Sequence, residues 1–319
     1  MPEPSTVGFI GLGRMGGPMV RRLVAGGVTV RGYDTAAEAV KALDGVITPV
    51  DAAPAAADGV PVVILMLPDS NVVESVLDGG LLAALAPGTL LVDMSSSEPL
   101  RTRALAERVA SHGATLVDAP VSGGVPGARA GTLTIMVGGP AEAAATLEPL
   151  LALMGRVRHV GGVGAGHALK ALNNLMSAAN LLASSEAILV GERFGLDPAV
   201  MLDAVNGSSG RSGSTENKWP NYIVPETYNS GFTAGLMVKD IRIALGLAEA
   251  TGVPSELAAR TVQLWAKAVE ELGPDADHTE IARWLRRHTP VKEDDAKPTA
   301  REHPGGRRGG KAGVEGRTR

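Results

Sequence analysis

Six residues near the amino terminus constrain this chain more than any other stretch. Gly11-Leu12-Gly13-Arg14-Met15-Gly16 fits the spacing G-x-G-x-x-G. Alone the pattern is weak. Here it follows a short apolar run, Val7–Ile10, and opens a helical pattern, Met15–Ala25. Asp34 stands 23 residues after Gly11, at the end of the next apolar run, Val28–Tyr33. In that context the glycines allow a tight turn, a close approach of backbone to a pyrophosphate, and close helix–strand packing. The helix N-terminus offers N–H groups and a positive dipole end to phosphate. The alternative is a glycine-rich turn that holds no ligand. A carboxylate at Asp34 can accept from both adenosine ribose hydroxyls and would repel a 2′-phosphate. Thr35 supplies no positive charge to offset that repulsion, so the reading favours NAD over NADP.

The rest of the first half repeats the same alternation. Apolar runs at Val60–Leu67, Thr89–Asp93, Thr115–Asp118 and Thr132–Val137 read as buried strands. Helical patterns lie between and after them, at Ala36–Leu43, Val72–Leu77, Leu100–Ser111 and Ala141–Met154. Near-continuous apolar strands alternating with helices predict an α/β fold with a parallel sheet covered on both faces. After the glycine-rich break at 161–166 the character changes. One long pattern from His167 to Arg193, about 27 residues or ~40 Å as a helix, suits a helix that bridges domains. Further helices are expected at Pro198–Asn206, Leu236–Thr251, Ser255–Leu272 and Thr279–Arg287. The expected organisation is a dinucleotide-binding domain over 1–163, an all-α domain over 164–290, and a basic, disordered tail over 291–319. That tail carries eight Lys or Arg against five acidic residues and almost no large aliphatic side chain.

Composition narrows the function classes. Among 319 residues there is no cysteine, which excludes disulfides, thiolate metal sites and a cysteine nucleophile. A net charge of −4 implies no broad surface for nucleic acid. No apolar run approaches the ~18 residues that span a bilayer, and the first residues lack the pattern of a secretory signal. A cytoplasmic setting is expected. With aromatics at 3%, the core is expected to be Ala, Val, Leu, Ile and Met. The six histidines show no metal spacing, and His159 and His167 read as isolated from paired carboxylates, so no metal is expected.

Other motifs stay open on residues alone. Leu67-Pro68-Asp69 and Ser95-Ser96-Ser97 close two strands, where open α/β sheets bind ligands, but Ser and Asp there also serve as helix caps. Ser122-Gly123-Gly124 follows a strand and could form an anion-binding nest or a plain flexible turn. Lys170 and Asn174 share one face of the long helix at i, i+4. In its apolar setting Lys170 is either a partly desolvated acid/base or a surface lysine that snorkels to water. Lys239-Asp240 sits in an apolar helical stretch. As adjacent residues they do not share a face, so a simple salt bridge does not account for them.

Taken together the motifs resemble those of the β-hydroxyacid dehydrogenase family, of the 3-hydroxyisobutyrate dehydrogenase type. VGFIGLGRMGGPM (7–19) is similar to the family's start, DAPVSGGVPGARAGTLTIMVGG (118–139) to its substrate segment, GAGHALKALNNLM (164–176) to its catalytic segment, and GLMVKD (235–240) to its late Lys-Asp motif. The resemblance implies a Rossmann-type domain joined to a helical domain, and an NAD-dependent dehydrogenase of a small β-hydroxy acid. It implies Lys170 as general acid/base and Asn174 as an aid to substrate placement. Ser122, Gly123 and Gly124 would hold the substrate carboxylate, with Lys239 and Asp240 beside substrate and nicotinamide. Gly11 to Gly16, Asp34, Leu67, Pro68, Ser96 and Lys239 would contact the cofactor. Two departures stand out. Ser95-Ser96 replaces the usual Ser-Thr, and Ser212–Val224 does not match the 3-hydroxyisobutyrate enzyme. A homodimer or homotetramer is expected. An imine reductase, or an inactive dinucleotide-binding module, is the alternative on the same scaffold.

Overall fold

The structure, a computed structural model, describes residues 6–289. The expected tail over 291–319 lies outside the described residues. The strands are β1 (Thr6–Ile10), β2 (Thr29–Tyr33), β3 (Thr48–Pro49), β4 (Val62–Leu65), β5 (Leu90–Asp93), β6 (Thr115–Asp118), β7 (Val121–Ser122), β8 (Leu133–Gly138) and β9 (Gly155–Gly161). They form one sheet in the order β3-β2-β1-β4-β5-β6-β8-β7, with β9 on β8. From β3 to β6 every pairing is parallel.

The parallel part follows from the apolar runs. Alternate residues of a strand point to opposite faces, and both faces here are covered. Val62 and Ile64 of β4 enter one core with Phe9, Met19 and Leu23. Val63 and Leu65 enter the other with Ile10, Leu91 and Leu105. Each such side chain contributes roughly 1.5–3 kcal/mol by leaving water.

The expected parallel sheet needs one correction. β8 runs antiparallel to both β6 and β7. A parallel return needs the connection to cross back over the sheet. The connection from β6 to β8 is instead spent on β7, which pairs antiparallel with β8, and on the short helix Gly124–Ala130, so the chain re-enters the sheet from the end at which it left. β9, GRVRHVG, was also outside the sequence reading, because an edge strand half open to solvent carries Arg156, Arg158 and His159 in place of an apolar run.

The second half is helical. The helix Ala165–Phe194 has 30 residues, or ~45 Å. It packs on β6, β8 and β9 at one end and on the helices Ala234–Thr251, Glu256–Leu272 and Ile281–Arg287 beyond. Its buried residues, among them Gly166, Lys170, Asn174, Ala178, Leu181, Ser185 and Ile188, recur every three or four positions and form one stripe. Gly195, at φ +102°, ends it. A further helical segment, Ser214–Ile223, contains Pro220 and is mostly polar, so the sequence does not mark it as a helix. The aliphatic core expected from composition holds for the sheet half but not here: all three tryptophans, Trp219, Trp265 and Trp284, lie in the helical core. Few aromatics overall does not mean few in one layer.

Candidate active site

At the carboxyl end of β1 the chain turns through Gly11, at φ +97°, into the helix Gly16–Ala25. A Cβ on Gly11 would stand 2.2 Å from Met66 O, and one on Gly16 would stand 1.9 Å from Gly11 O. Only glycine fits against backbone at those distances. Gly13 differs: a Cβ there would meet nothing within 4 Å. Among the described residues no packing requires glycine at this position. Gly13 borders a cleft of about 610 Å³, and a bare backbone there suits a phosphate that must approach closely. No side chain caps the helix, which leaves its first turn to an anion. The residues present therefore fit a dinucleotide.

Asp34 lies at the rim of the same cleft. One carboxylate oxygen accepts from Leu12 N–H at 2.7 Å and the other from Ala36 N–H at 2.8 Å. A carboxylate has about four acceptor sites, so both oxygens stay open to ribose hydroxyls while the backbone holds them still.

The long helix and the helix Ala234–Thr251 bring the chemistry-bearing side chains to the other wall. Lys170 is 9% exposed and lines the cleft, which overturns the surface-lysine reading. Burial pushes its ammonium pKa down, Asp240 pulls it up in opposition, and Lys239 adds to the fall. Asn174 donates to Asp240 Oδ2 at 2.6 Å. Lys239 Nζ donates to Ser96 O at 2.7 Å and Pro68 O at 3.0 Å, and lies 3.1 Å from Asp240 Oδ1. The adjacent pair that a shared helix face does not account for is thus in ion-pair contact. The lysine stem is long enough to fold back over its own helix, so sharing a face is not required.

The cleft gathers Gly11, Gly13, Arg14, Met15, Gly16, Asp34, Leu67, Pro68, Ser96, Gly124, Lys170, Lys239 and Asp240. Leu12, Ser122, Gly123 and Asn174 do not line it. Leu12 serves through its N–H to Asp34, and Asn174 stands behind Asp240. Ser122 pairs with Thr134 in the sheet, and the Gly123–Gly124 turn, both residues at positive φ, starts the helix Gly124–Ala130. Asp69 is a helix cap, accepting from Val72 N–H at 3.1 Å. A second cleft, about 700 Å³, opens beyond Lys239 around Arg242 and Glu270. It holds neither the glycine turn nor Lys170.

Three supporting residues were missed. Asp118 accepts from Gly164 N–H at 2.7 Å and His167 N–H at 2.9 Å, so the sheet pins the start of the helix that carries Lys170. Burial raises the Asp118 pKa, opposed by His167 and those N–H bonds. His167 is not isolated from carboxylates. Its backbone donates to Asp118, its Nε2 lies 3.7 Å from Asp93 Oδ2, and its Nδ1 is 2.8 Å from Thr102 Oγ1. The described residues nonetheless contain no metal-ligand cluster. Asp277 holds the wall segment Ser230–Gly231 through Ser230 Oγ and Gly231 N–H. The partners of each of these three residues named here are far away in the sequence, which is why no local pattern marks them.

Known proteins are similar to this chain in sequence and in fold. Residues 6–164 match the sequence model for the NAD binding domain of 6-phosphogluconate dehydrogenase. Residues 164–285 match that for the NAD-binding domain of NADP-dependent 3-hydroxyisobutyrate dehydrogenase. A 3-hydroxyisobutyrate dehydrogenase of Pseudomonas aeruginosa is 40% identical over 283 residues, 85% of this chain and 94% of that protein. A 2-(hydroxymethyl)glutarate dehydrogenase of Eubacterium barkeri is 38% identical, over 83% of this chain and 89% of that protein. The solved Mycobacterium tuberculosis 3-hydroxyisobutyrate dehydrogenase with L-serine aligns at a TM-score of 0.84 and 34% identity, covering 88% of this chain and 99% of that one.

Proposed function

The chain belongs to the β-hydroxyacid dehydrogenase family, and on that footing we propose that Lys170 is its general acid/base and that the cleft between glycine turn and long helix is its active site. It is an NAD-linked oxidoreductase acting on a small hydroxy acid or the corresponding carbonyl compound. The observation that carries the site assignment is the burial of Lys170 in the cleft that also holds Gly13 and Asp34.

NAD, when bound, supplies the hydride acceptor for oxidation at the carbinol carbon. The glycine turn receives the pyrophosphate, Asp34 the adenosine ribose, and Leu67, Pro68 and Ser96 the neighbouring cofactor surface. Neutral Lys170 takes the hydroxyl proton during oxidation and returns it to the carbonyl oxygen during reduction. Burial favours that neutral amine. The Ser122–Gly124 turn meets the substrate carboxylate through Gly124, its cleft-lining residue, Asp240 orients Asn174, and Lys239 ties the helical wall to the strand ends.

The junction between the two domains is placed at residues 163–164, supported by the left-handed Gly164 that opens the long helix. Met176 and Phe194, 57% and 84% exposed on that helix, support a homo-oligomer. No helix of the described residues is long and apolar enough to cross a membrane. The absence of cysteine fits work in the cytoplasm.

The test is NADH formation with 3-hydroxyisobutyrate, L-serine and related 3-hydroxy acids. Turnover that is lost in Lys170→Ala supports the assignment. Binding of NAD with no turnover of any acid would favour an inactive dinucleotide-binding module.

A further inference from the structure

The helix face that carries Lys170 and Asn174 continues to Ser177, seven residues after Lys170 and about two turns along. Ser177 Oγ accepts from Lys218 Nζ at 2.8 Å. Lys218 belongs to the helical segment Ser214–Ile223, inside the stretch that departs from the 3-hydroxyisobutyrate enzyme. It therefore adds a cation at the far end of the face on which the acid/base stands.

Among the described residues that cation has no counter-ion in contact. No carboxylate of the described residues lies within 4.0 Å of it. The carboxylate whose field reaches it is Asp277. Asp277 is already used: it accepts from Ser230 Oγ, Gly231 N–H, Thr279 N–H and Thr279 Oγ1. Lys218 has three donors, of which Ser177 takes one. Burial without a contacting anion pushes its pKa down to about 8. The cluster adjoins the cleft wall. His278, which feels the charge of Lys218, donates its N–H to Phe232 O at 2.9 Å and packs edge-on against the Phe232 ring. Phe232 lines the cleft.

We infer that Lys218 is a substrate-recognition residue for a second anionic group, so that the preferred substrate is a β-hydroxy acid with an additional carboxylate, or like anion, on the substituent remote from the hydroxyl. This rests on the reading of the Lys170 face as the substrate site. A monoacid leaves the Lys218 ammonium without a partner, whereas a short diacid engages the Ser122–Gly124 turn at one end and Lys218 at the other.

The test compares two acids that differ only in this respect. 3-Hydroxyisobutyrate carries a methyl group where 2-(hydroxymethyl)glutarate carries a chain ending in a second carboxylate. The wild type is expected to show at least tenfold higher kcat/KM with the diacid. Lys218→Met should remove that preference through KM, leave kcat on the monoacid within about threefold, and be rescued in part by Lys218→Arg. Calorimetry on the enzyme–NADH complex should show glutarate binding at least tenfold tighter than butyrate, with the difference lost in Lys218→Met. If that variant does not fold, Lys218→Gln takes its place. Equal efficiency on both acids, or a preference kept without Lys218, overturns the inference and leaves the dehydrogenase reading intact. Turnover of neither acid overturns the dehydrogenase reading, and the glutarate–butyrate comparison then still decides the anion site by itself.

Discussion

The side-chain amide of Asn174 donates to Asp240 Oδ2 at 2.6 Å, joining two helices whose residues lie 66 apart in the chain. Asp240 is thereby held beside Lys170, where its charge opposes the effect of burial on the ammonium, while Lys239 reinforces it. Lys170 thus feels two neighbours of opposite sign.

Those signs yield a paired prediction. With neutral Lys170 as the proposed base, kcat/KM for oxidation should rise with pH along a limb set by a pKa below the ordinary 10.5. Asp240→Asn removes the charge that favours the ammonium, and the limb should move to lower pH. Lys239→Met removes a charge that disfavours it, and the limb should move to higher pH. Shifts in the same direction in both variants would show that Lys170 is not the titrating group.

Lys170→Ala removes the proposed proton-transfer group and leaves the glycine turn untouched. General acid–base groups contribute roughly 10²–10⁴-fold, so kcat should fall by that factor. Fluorescence titration with NADH should give nearly the wild-type affinity. Retention of more than about a tenth of kcat would identify another base.

Cofactor choice should follow Asp34. Its oxygens are fixed by Leu12 and Ala36 N–H groups, and each charge-assisted bond to a ribose hydroxyl is worth roughly 1.5–3 kcal/mol. The wild type should favour NAD over NADP by at least tenfold in kcat/KM, since ~1.4 kcal/mol gives that factor. Asp34→Asn with Thr35→Arg removes the repulsion and adds a phosphate partner. The double variant should lose NAD efficiency and gain NADP efficiency. Equal use of NADP by the wild type would sink the role given to Asp34.

Asp118→Ala should destabilise the fold before it affects chemistry. It strips the acceptor from Gly164 and His167 N–H groups inside the protein, and each unsatisfied buried donor costs about 1–3 kcal/mol. A drop in melting temperature of about 2–4 °C per kcal/mol is expected. Asp118→Asn keeps one acceptor and should lose about half as much. An unchanged melting temperature in the alanine variant would show that the helix start does not depend on the sheet carboxylate.

Much of the architecture was legible in the order of residues. Parallel strands are buried on both faces, so Val7–Ile10 and Val60–Leu67 show as apolar runs. The glycine turn shows because no other residue survives 2.2 Å from Met66 O or 1.9 Å from Gly11 O. The edge strand β9 did not show, since solvent on one side tolerates its arginines and histidine. Ser214–Ile223 did not show because Pro220 speaks against a helix and most of its residues are polar.

The sequence by itself determined what depends on neighbours along the chain: the strand–turn–helix at Gly11–Gly16, the acidic residue that ends β2, and the i, i+4 pairing of Lys170 with Asn174. Only the tertiary structure decided the state and partners of the charged groups. Lys170 is buried because a sheet and three helices close over one stripe of its helix. Asp118 meets His167 across 49 residues, and Lys218 meets Ser177 across 41. Backbone preference is a local property, whereas the cost of a charge is set by what lies within a few ångströms in space, and that is chosen by packing.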